Sequence, residues 1–272
     1  MTTKDHILGW AFFITLMGCM YAMLIMTGCN EGSGFDWSSQ PHKDIVPPPI
    51  ARWTKSPSVW IDTQVYGNAP AYIAPKVPGA VAPIHAELRD YSAARNHVFT
   101  AASSAAADVV IRFYCGKYVE NPTRTVSSAD GALDWLLSHQ VPVVVIDDSD
   151  KAVSAGIVPP PREANWNGVV YMRSSSRKIK SAECWINVYA YQYFTELAAA
   201  RPDLKLDPDA MFRSYLNTVY FHEGAHWCWG LADDVDGCLG PDGKQIGGLM
   251  NYKLLQSRPN RYEDAVIRWE YK

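Results

Sequence analysis

The chain is 272 residues long, 48% of them apolar, with a formal net charge of −3. That length allows one large domain or two small ones, and the apolar content is ample for a core. The small negative charge supplies no basic surface for nucleic acid, so no nucleic-acid partner is expected.

The first segment reads as separate from the fold. After a short n-region with Lys4, Ile7 to Gly28 carries no charge and is dominated by Leu, Met, Phe, Ile and Ala. Residues 1–28 therefore read as an export or anchoring signal. The run is also long enough to span a bilayer as an uncleaved anchor. Met26-Thr27-Gly28-Cys29 resembles the bacterial lipobox, in which the cysteine is acylated and becomes the new N-terminus. Leu16-Met17-Gly18-Cys19 is a weaker copy placed too early in the apolar run. Either reading predicts an exported domain held at a membrane, facing the periplasm or the cell exterior. Residues 29–57 include Gly32-Ser33-Gly34 and Pro47-Pro48-Pro49, and read as a tether, flexible and then stiffened. The rival for this segment is a short propeptide, although it has no cysteine after Cys29 to plug a metal. Residues 58–272 are left as the folded domain.

From Val59 strand and helix patterns alternate. Val59-Trp60-Ile61 predicts a first strand, and the spacing of Ile84, Leu88, Tyr91 and Ala94 predicts a helix over 84–94. Val98-Phe99-Thr100 and the run from Asp108 to Phe113 predict two more strands. Ala129 to His139 reads as a short helix. Val141 to Ile146 is a continuous apolar run of the kind found in a strand covered on both faces. Asp147-Asp148-Ser149-Asp150 clusters hard oxygen ligands such as calcium takes, although acidic loops after strands are commonly just solvated. Gly168 to Met172 and Trp185 to Val188 are further strands.

Asp207-Pro208 is a helix start signal, and Met211, Phe212, Tyr215, Leu216 and Val219 keep one face of the helix in the core. The helix continues into His222-Glu223-Gly224-Ala225-His226. Residues four apart on a helix lie one above the other, so His222 and His226 present two imidazoles to one point, which is half of a zinc site. Glu223 is placed to reach a water on such a metal without being a ligand, as a general base does. Gly230 is the expected helix stop, and Asp233 returns a carboxylate toward the metal. Gly247-Gly248-Leu249-Met250-Asn251-Tyr252 then places a methionine in a tight turn. His85, His97 and His139 lack spaced partners and read as ordinary surface or core residues.

These motifs resemble the metzincin clan of zinc endopeptidases, whose pattern is His-Glu-x-x-His-x-x-Gly-x-x-His or Asp followed by a Met-turn. The aspartate in third place is similar to the snapalysin-type variant. The resemblance implies an α+β fold: a metzincin-like twisted mixed sheet, an active-site helix and a small irregular C-terminal lobe. It implies Zn2+ held by His222, His226 and Asp233, Glu223 as base and Met250 beneath the metal. Tyr252 matches the tyrosine that some members use as a switchable ligand or oxyanion donor. The implied activity is hydrolysis of protein or peptide substrates by a metal-activated water, with the substrate laid along the cleft edge on one of the two later strands. This chain departs from the pattern in one place. Trp227, Cys228 and Trp229 put three residues before Gly230, where the family has two. One extra residue turns a helix end by about 100°, which leaves Asp233, Asp234 and Asp236 as candidates for the third ligand. Asp233 keeps the glycine-to-ligand spacing.

The alternative is a non-catalytic lipoprotein that keeps this scaffold and binds a protein or cell-wall partner; a zinc hydrolase of a non-peptide amide is a third. An intact Glu223 argues for catalysis. Cys115, Cys184, Cys228 and Cys238 can oxidise in an exported protein. Cys228 with Cys238 would staple the loop carrying the third ligand, and Cys115 with Cys184 would cross the upper lobe, among three formal pairings. The residues after Gly230 are expected to form turns and a terminal helix over 262–270.

Overall fold

The computed structural model describes residues 45–118, 125–147, 166–235, 237, 239, 242–252 and 255–271. The chain divides into Met1–Phe35 and Asp36–Lys272, and every described residue belongs to the second unit. The export signal with Cys29, the acidic residues Asp148 and Asp150, and also Asp236 and Cys238 lie outside the described residues. No helix among the described residues is long and apolar enough to cross a membrane.

The β-branched and aromatic runs form six strands: β1 Ser58–Gly67, β2 Phe99–Thr100, β3 Val109–Cys115, β4 Val144–Asp147, β5 Gly168–Ser175 and β6 Lys178–Asn187. They make one mixed sheet in the order β2-β1-β3-β6-β5-β4. β1 is parallel to β2 and β3, and β3 is parallel to β6. β5 runs antiparallel to β6, with β4 parallel to β5, so the last two strands oppose the other four. Val109, Ile111 and Phe113 lie two apart on β3, share one face and are fully buried in the main core. On the other face Tyr114, Trp166, Val169 and Trp185 form a smaller cluster.

Two expectations about the sheet are corrected. Val141 to Ile146 was expected to be covered on both faces, but β4 is an edge strand with β5 as its one neighbour, and Val144 and Val145 are exposed. The cleft edge was expected on 168–172 or 185–188, but β5 and β6 are both interior strands. A run of apolar residues fixes strand-forming tendency and carries no information about which neighbours the strand finds.

Five helices accompany the sheet among the described residues: α1 Lys76–Ser92, α2 Ala129–Leu137, α3 Tyr189–Ala200, α4 Pro208–Trp229 and α5 Arg261–Glu270. α1 begins two turns before the expected residue 84, because Val77, Ala80 and Val81 extend its buried stripe and Pro83 is accommodated inside it. α4 is the axis of the molecule. α1, α2 and α3 pack around it, and it lies against β5 and β6. Its start is fixed by Asp207, whose carboxylate accepts the amides of Asp209 (3.0 Å) and Ala210 (3.1 Å), with Pro208 in the first turn. Thr218, Val219, Tyr220 and Phe221 are indifferent helix formers in sequence, yet all four are buried in it. Full burial of a side chain such as Phe221 contributes about 2 kcal/mol, so packing rather than propensity keeps this stretch helical.

The helix ends where expected. Gly230 has φ 67°, a left-handed conformation, and its missing side chain would fall onto the carbonyl of Ala51. Part of the stretch expected as tether is bound into the body here. The Ile50 amide donates to the Gly230 carbonyl (2.8 Å), Trp53 Nε1 donates to the Trp227 carbonyl (2.6 Å), and Val46, Ala51 and Trp53 are buried.

Candidate metal centre

His222 and His226 stand one turn apart near the end of α4, buried to 1% and 0% exposure. Each ring is fixed through its inner nitrogen. Nδ1 of His222 donates to the Leu249 carbonyl at 2.7 Å, and Nδ1 of His226 donates to the Leu231 carbonyl at 2.8 Å. A carbonyl only accepts, so each Nδ1 carries a proton, and in the neutral ring Nε2 is left with its lone pair for a metal. The local turn explains the second contact. The Leu231 amide donates to the Ala225 carbonyl (3.1 Å) and the Gly230 amide to the His226 carbonyl (2.9 Å), which folds the chain back over the last helical turn.

Asp233 follows that turn and completes the cluster. Its Oδ1 lies 3.4 Å from His222 Nε2 and 3.2 Å from His226 Nε2. Its Oδ2 accepts the amide of Val143, just before β4, at 2.9 Å. The three atoms His222 Nε2, His226 Nε2 and Asp233 Oδ1 are buried with no hydrogen-bond partner. Unpartnered buried polar atoms are costly, and one cation held between these three would satisfy them together. Ligand atoms on one tetrahedral zinc are about 3.3 Å apart, which is the spacing Asp233 Oδ1 keeps to both nitrogens. The His222, His226 and Asp233 group could therefore hold a metal ion. Of the two described aspartates left open by the sequence, Asp233 is brought to the histidines. Asp234 instead pairs with Asn251, its amide donating to the Met250 carbonyl at 2.9 Å.

The electrostatics follow from burial. Glu223 is 1% exposed, and burial pushes its carboxyl up to about 8, a rise that the His222 imidazole opposes and the Asp233 carboxylate reinforces. Burial would also raise Asp233, but the imidazoles of His226 and His222 hold it well below the carboxylate range. Tyr252 lies beside His222, ring centroids 5.9 Å apart, and its hydroxyl is buried. Burial and the Asp233 carboxylate push its pKa far upward, so it remains a donor at any working pH. Met250 is buried to 1% in the turn before it.

Sequence reasoning missed the support of that turn. Glu263 on α5 is buried, and its carboxylate accepts the amides of Leu249 (2.9 Å), Met250 (2.8 Å) and Asn260 (2.8 Å). The Leu249 carbonyl is the acceptor for His222, so Glu263 fixes the ring through one peptide. The signal was present: Asn260-Arg261-Tyr262-Glu263 is a helix capping box. Nothing in the sequence marks Val143 as a partner of Asp233.

The expected disulfides are not formed. Cys115, Cys184 and Cys228 are free and buried, and Cys228 Sγ sits 3.3 Å from Ser92 Oγ. Cys184 pairs with Ile111, four residues from Cys115 along β3, so these two sulfurs are about 13 Å apart by strand rise, too far to bridge. Among the described residues the other three histidines have other partners: His85 Nδ1 meets Tyr220 Oη at 2.8 Å, His139 Nδ1 donates to the Trp135 carbonyl, and His97 packs on Phe99. Compared with protein-family models, curated proteins and solved structures, the chain matches none.

Proposed function

We propose that this chain is a zinc-dependent endopeptidase of metzincin type, working outside the cytoplasm and held at a membrane by its N-terminus. One observation carries the reading: two imidazole nitrogens and a carboxylate oxygen, buried and unpartnered, converge beside a second buried carboxylate. The nitrogen and oxygen donor set suits zinc. A bound zinc ion would lower the pKa of its water to about 7 and polarise the scissile carbonyl.

The residues divide the remaining work. His222, His226 and Asp233 hold the ion, with Leu249, Leu231 and Val143 fixing their outer atoms. Glu223 takes the proton of the attacking water on its carboxylate and delivers it to the leaving amine. Tyr252 Oη, a buried hydroxyl beside the Asp233 carboxylate, is offered to the developing oxyanion. The apolar run to Gly28 and the lipobox-like Met26-Thr27-Gly28-Cys29 support a lipid on Cys29 and export.

The test is Glu223→Gln in the full-length chain against unfolded protein substrates. It should keep about one zinc per chain and lose turnover by about 10²- to 10⁴-fold. Cleavage at the wild-type rate by this variant would remove Glu223 from the mechanism.

A further inference from the structure

Glu223 and the start of β5 stand closer than any side chain at position 168 allows. A Cβ built on Gly168 would lie 2.6 Å from both Cγ and Cδ of Glu223 and would collide with its Oε1. Cγ is near the root of that side chain, so turning the carboxylate alone clears nothing.

The backbone at 168 has no room to retreat. Asn167 is fully buried, and each of its polar groups is engaged. Its amide donates to the His139 carbonyl (2.9 Å), and its carbonyl accepts the Asn187 amide (2.7 Å). Its Oδ1 accepts from Tyr118 Oη (2.6 Å), and its Nδ2 donates to the Leu136 carbonyl (2.8 Å). Gly168 itself pairs with Ile186 on β6. Tyr215, two turns before Glu223 on α4, donates to the Asn187 carbonyl at 2.9 Å. Helix and strand are thus locked at a fixed spacing, and the Glu223 side chain fills the space between them.

We propose that Gly168, pinned by Asn167, is the positioning residue for Glu223: its bare Cα is the wall that sets where the carboxylate stands beside His222, His226 and Asp233. The proposal rests on the hydrolase reading, in which Glu223 is the base. A side chain at 168 displaces that carboxylate by rotation about χ1, because the flexible partner yields before the clamped backbone does. The ligands are held from elsewhere, by Leu231, Leu249 and Val143, and keep their places. The signature is turnover lost with the metal retained.

The experiment compares Gly168→Ala in the full-length chain with Glu223→Ala and the double variant. Zinc content, kcat, KM and melting temperature are read for each. Misplacing a catalytic group by about 1 Å can cost about 10²-fold. Gly168→Ala should therefore lower kcat about 10- to 100-fold, with about one zinc per chain retained and KM within about twofold. Alanine at 223 keeps Cβ alone and removes the atoms that meet position 168. Melting temperature should fall on Gly168→Ala in wild type and stay level in Glu223→Ala, where nothing fills the space. The thermal comparison needs no activity. Coupled melting temperatures with no cleavage by the wild-type chain would uphold the contact and sink the hydrolase reading. Equal thermal losses from Gly168→Ala in wild type and in Glu223→Ala, or wild-type kcat in Gly168→Ala, would overturn the proposal.

Discussion

At Glu223 burial and charge act on one proton in different directions. Burial carries the carboxyl from 4.5 to about 8 while the His222 imidazole opposes the rise. An acid whose folded pKa lies above its unfolded one favours folding at low pH and loses that contribution as pH climbs through the folded value. The metal-free chain should therefore lose stability, relative to Glu223→Gln, as pH rises from 4.5 through about 8. Melting temperatures of the two that run parallel over that range would contradict a buried, titrating Glu223. A divalent cation beside the carboxylate favours its charged form, so added zinc should flatten the difference. Tyr252 makes a second residue-scale prediction. Its hydroxyl is buried beside the Asp233 carboxylate. Tyr252→Phe should keep the fold and lower kcat about 10²-fold. A stable variant with unchanged kcat would leave Tyr252 as packing only.

At the scale of elements, the site depends on two devices at the ends of helices. Glu263, in the first turn of α5, holds the Leu249 and Met250 amides and through them the His222 ring. Losing such outer support commonly costs about 10- to 100-fold in metal affinity, and Glu263→Ala should show that loss together with a lower melting temperature. Unchanged zinc affinity in a folded Glu263→Ala would show that the turn holds itself. Gly230 ends α4 at φ 67° against Ala51, so Gly230→Ala should destabilise the fold by more than about 1 kcal/mol, read by urea unfolding. The ends of α4 and the histidine pair were legible in the sequence because they are local: Asp207-Pro208 starts the helix, Gly230 stops it, and a spacing of four stacks two rings. Strand positions were legible for the same reason, since β-branched runs declare themselves. Sheet order was not, which is why β4 appears at an edge that apolar content had argued against. Val143 donates to a carboxylate 90 residues away, and no periodicity reports a contact at that separation.

Across the whole molecule, the three candidate ligands join α4 to the segment after it, and α5 ties that segment back to His222 through the Met250 turn. A bound metal would cross-link the helical core to the C-terminal lobe, and binding at a thousand times the dissociation constant stabilises by about 4 kcal/mol. Chelation should therefore lower the melting temperature and speed amide exchange over residues 231–252, while β3 and β6, with Val109, Ile111, Phe113, Cys184 and Ile186 buried in the main core, keep their protection. Uniform loss of protection would mean that the metal holds the entire fold. The central claim is that His222, His226 and Asp233 form a zinc site, and elemental analysis of the purified full-length chain beside Asp233→Ala and Asp234→Ala tests it most directly. About one zinc per chain in wild type and Asp234→Ala, lost in Asp233→Ala, is the predicted result. A folded wild-type chain that takes up no zinc, or zinc lost from Asp234→Ala and kept by Asp233→Ala, would contradict it.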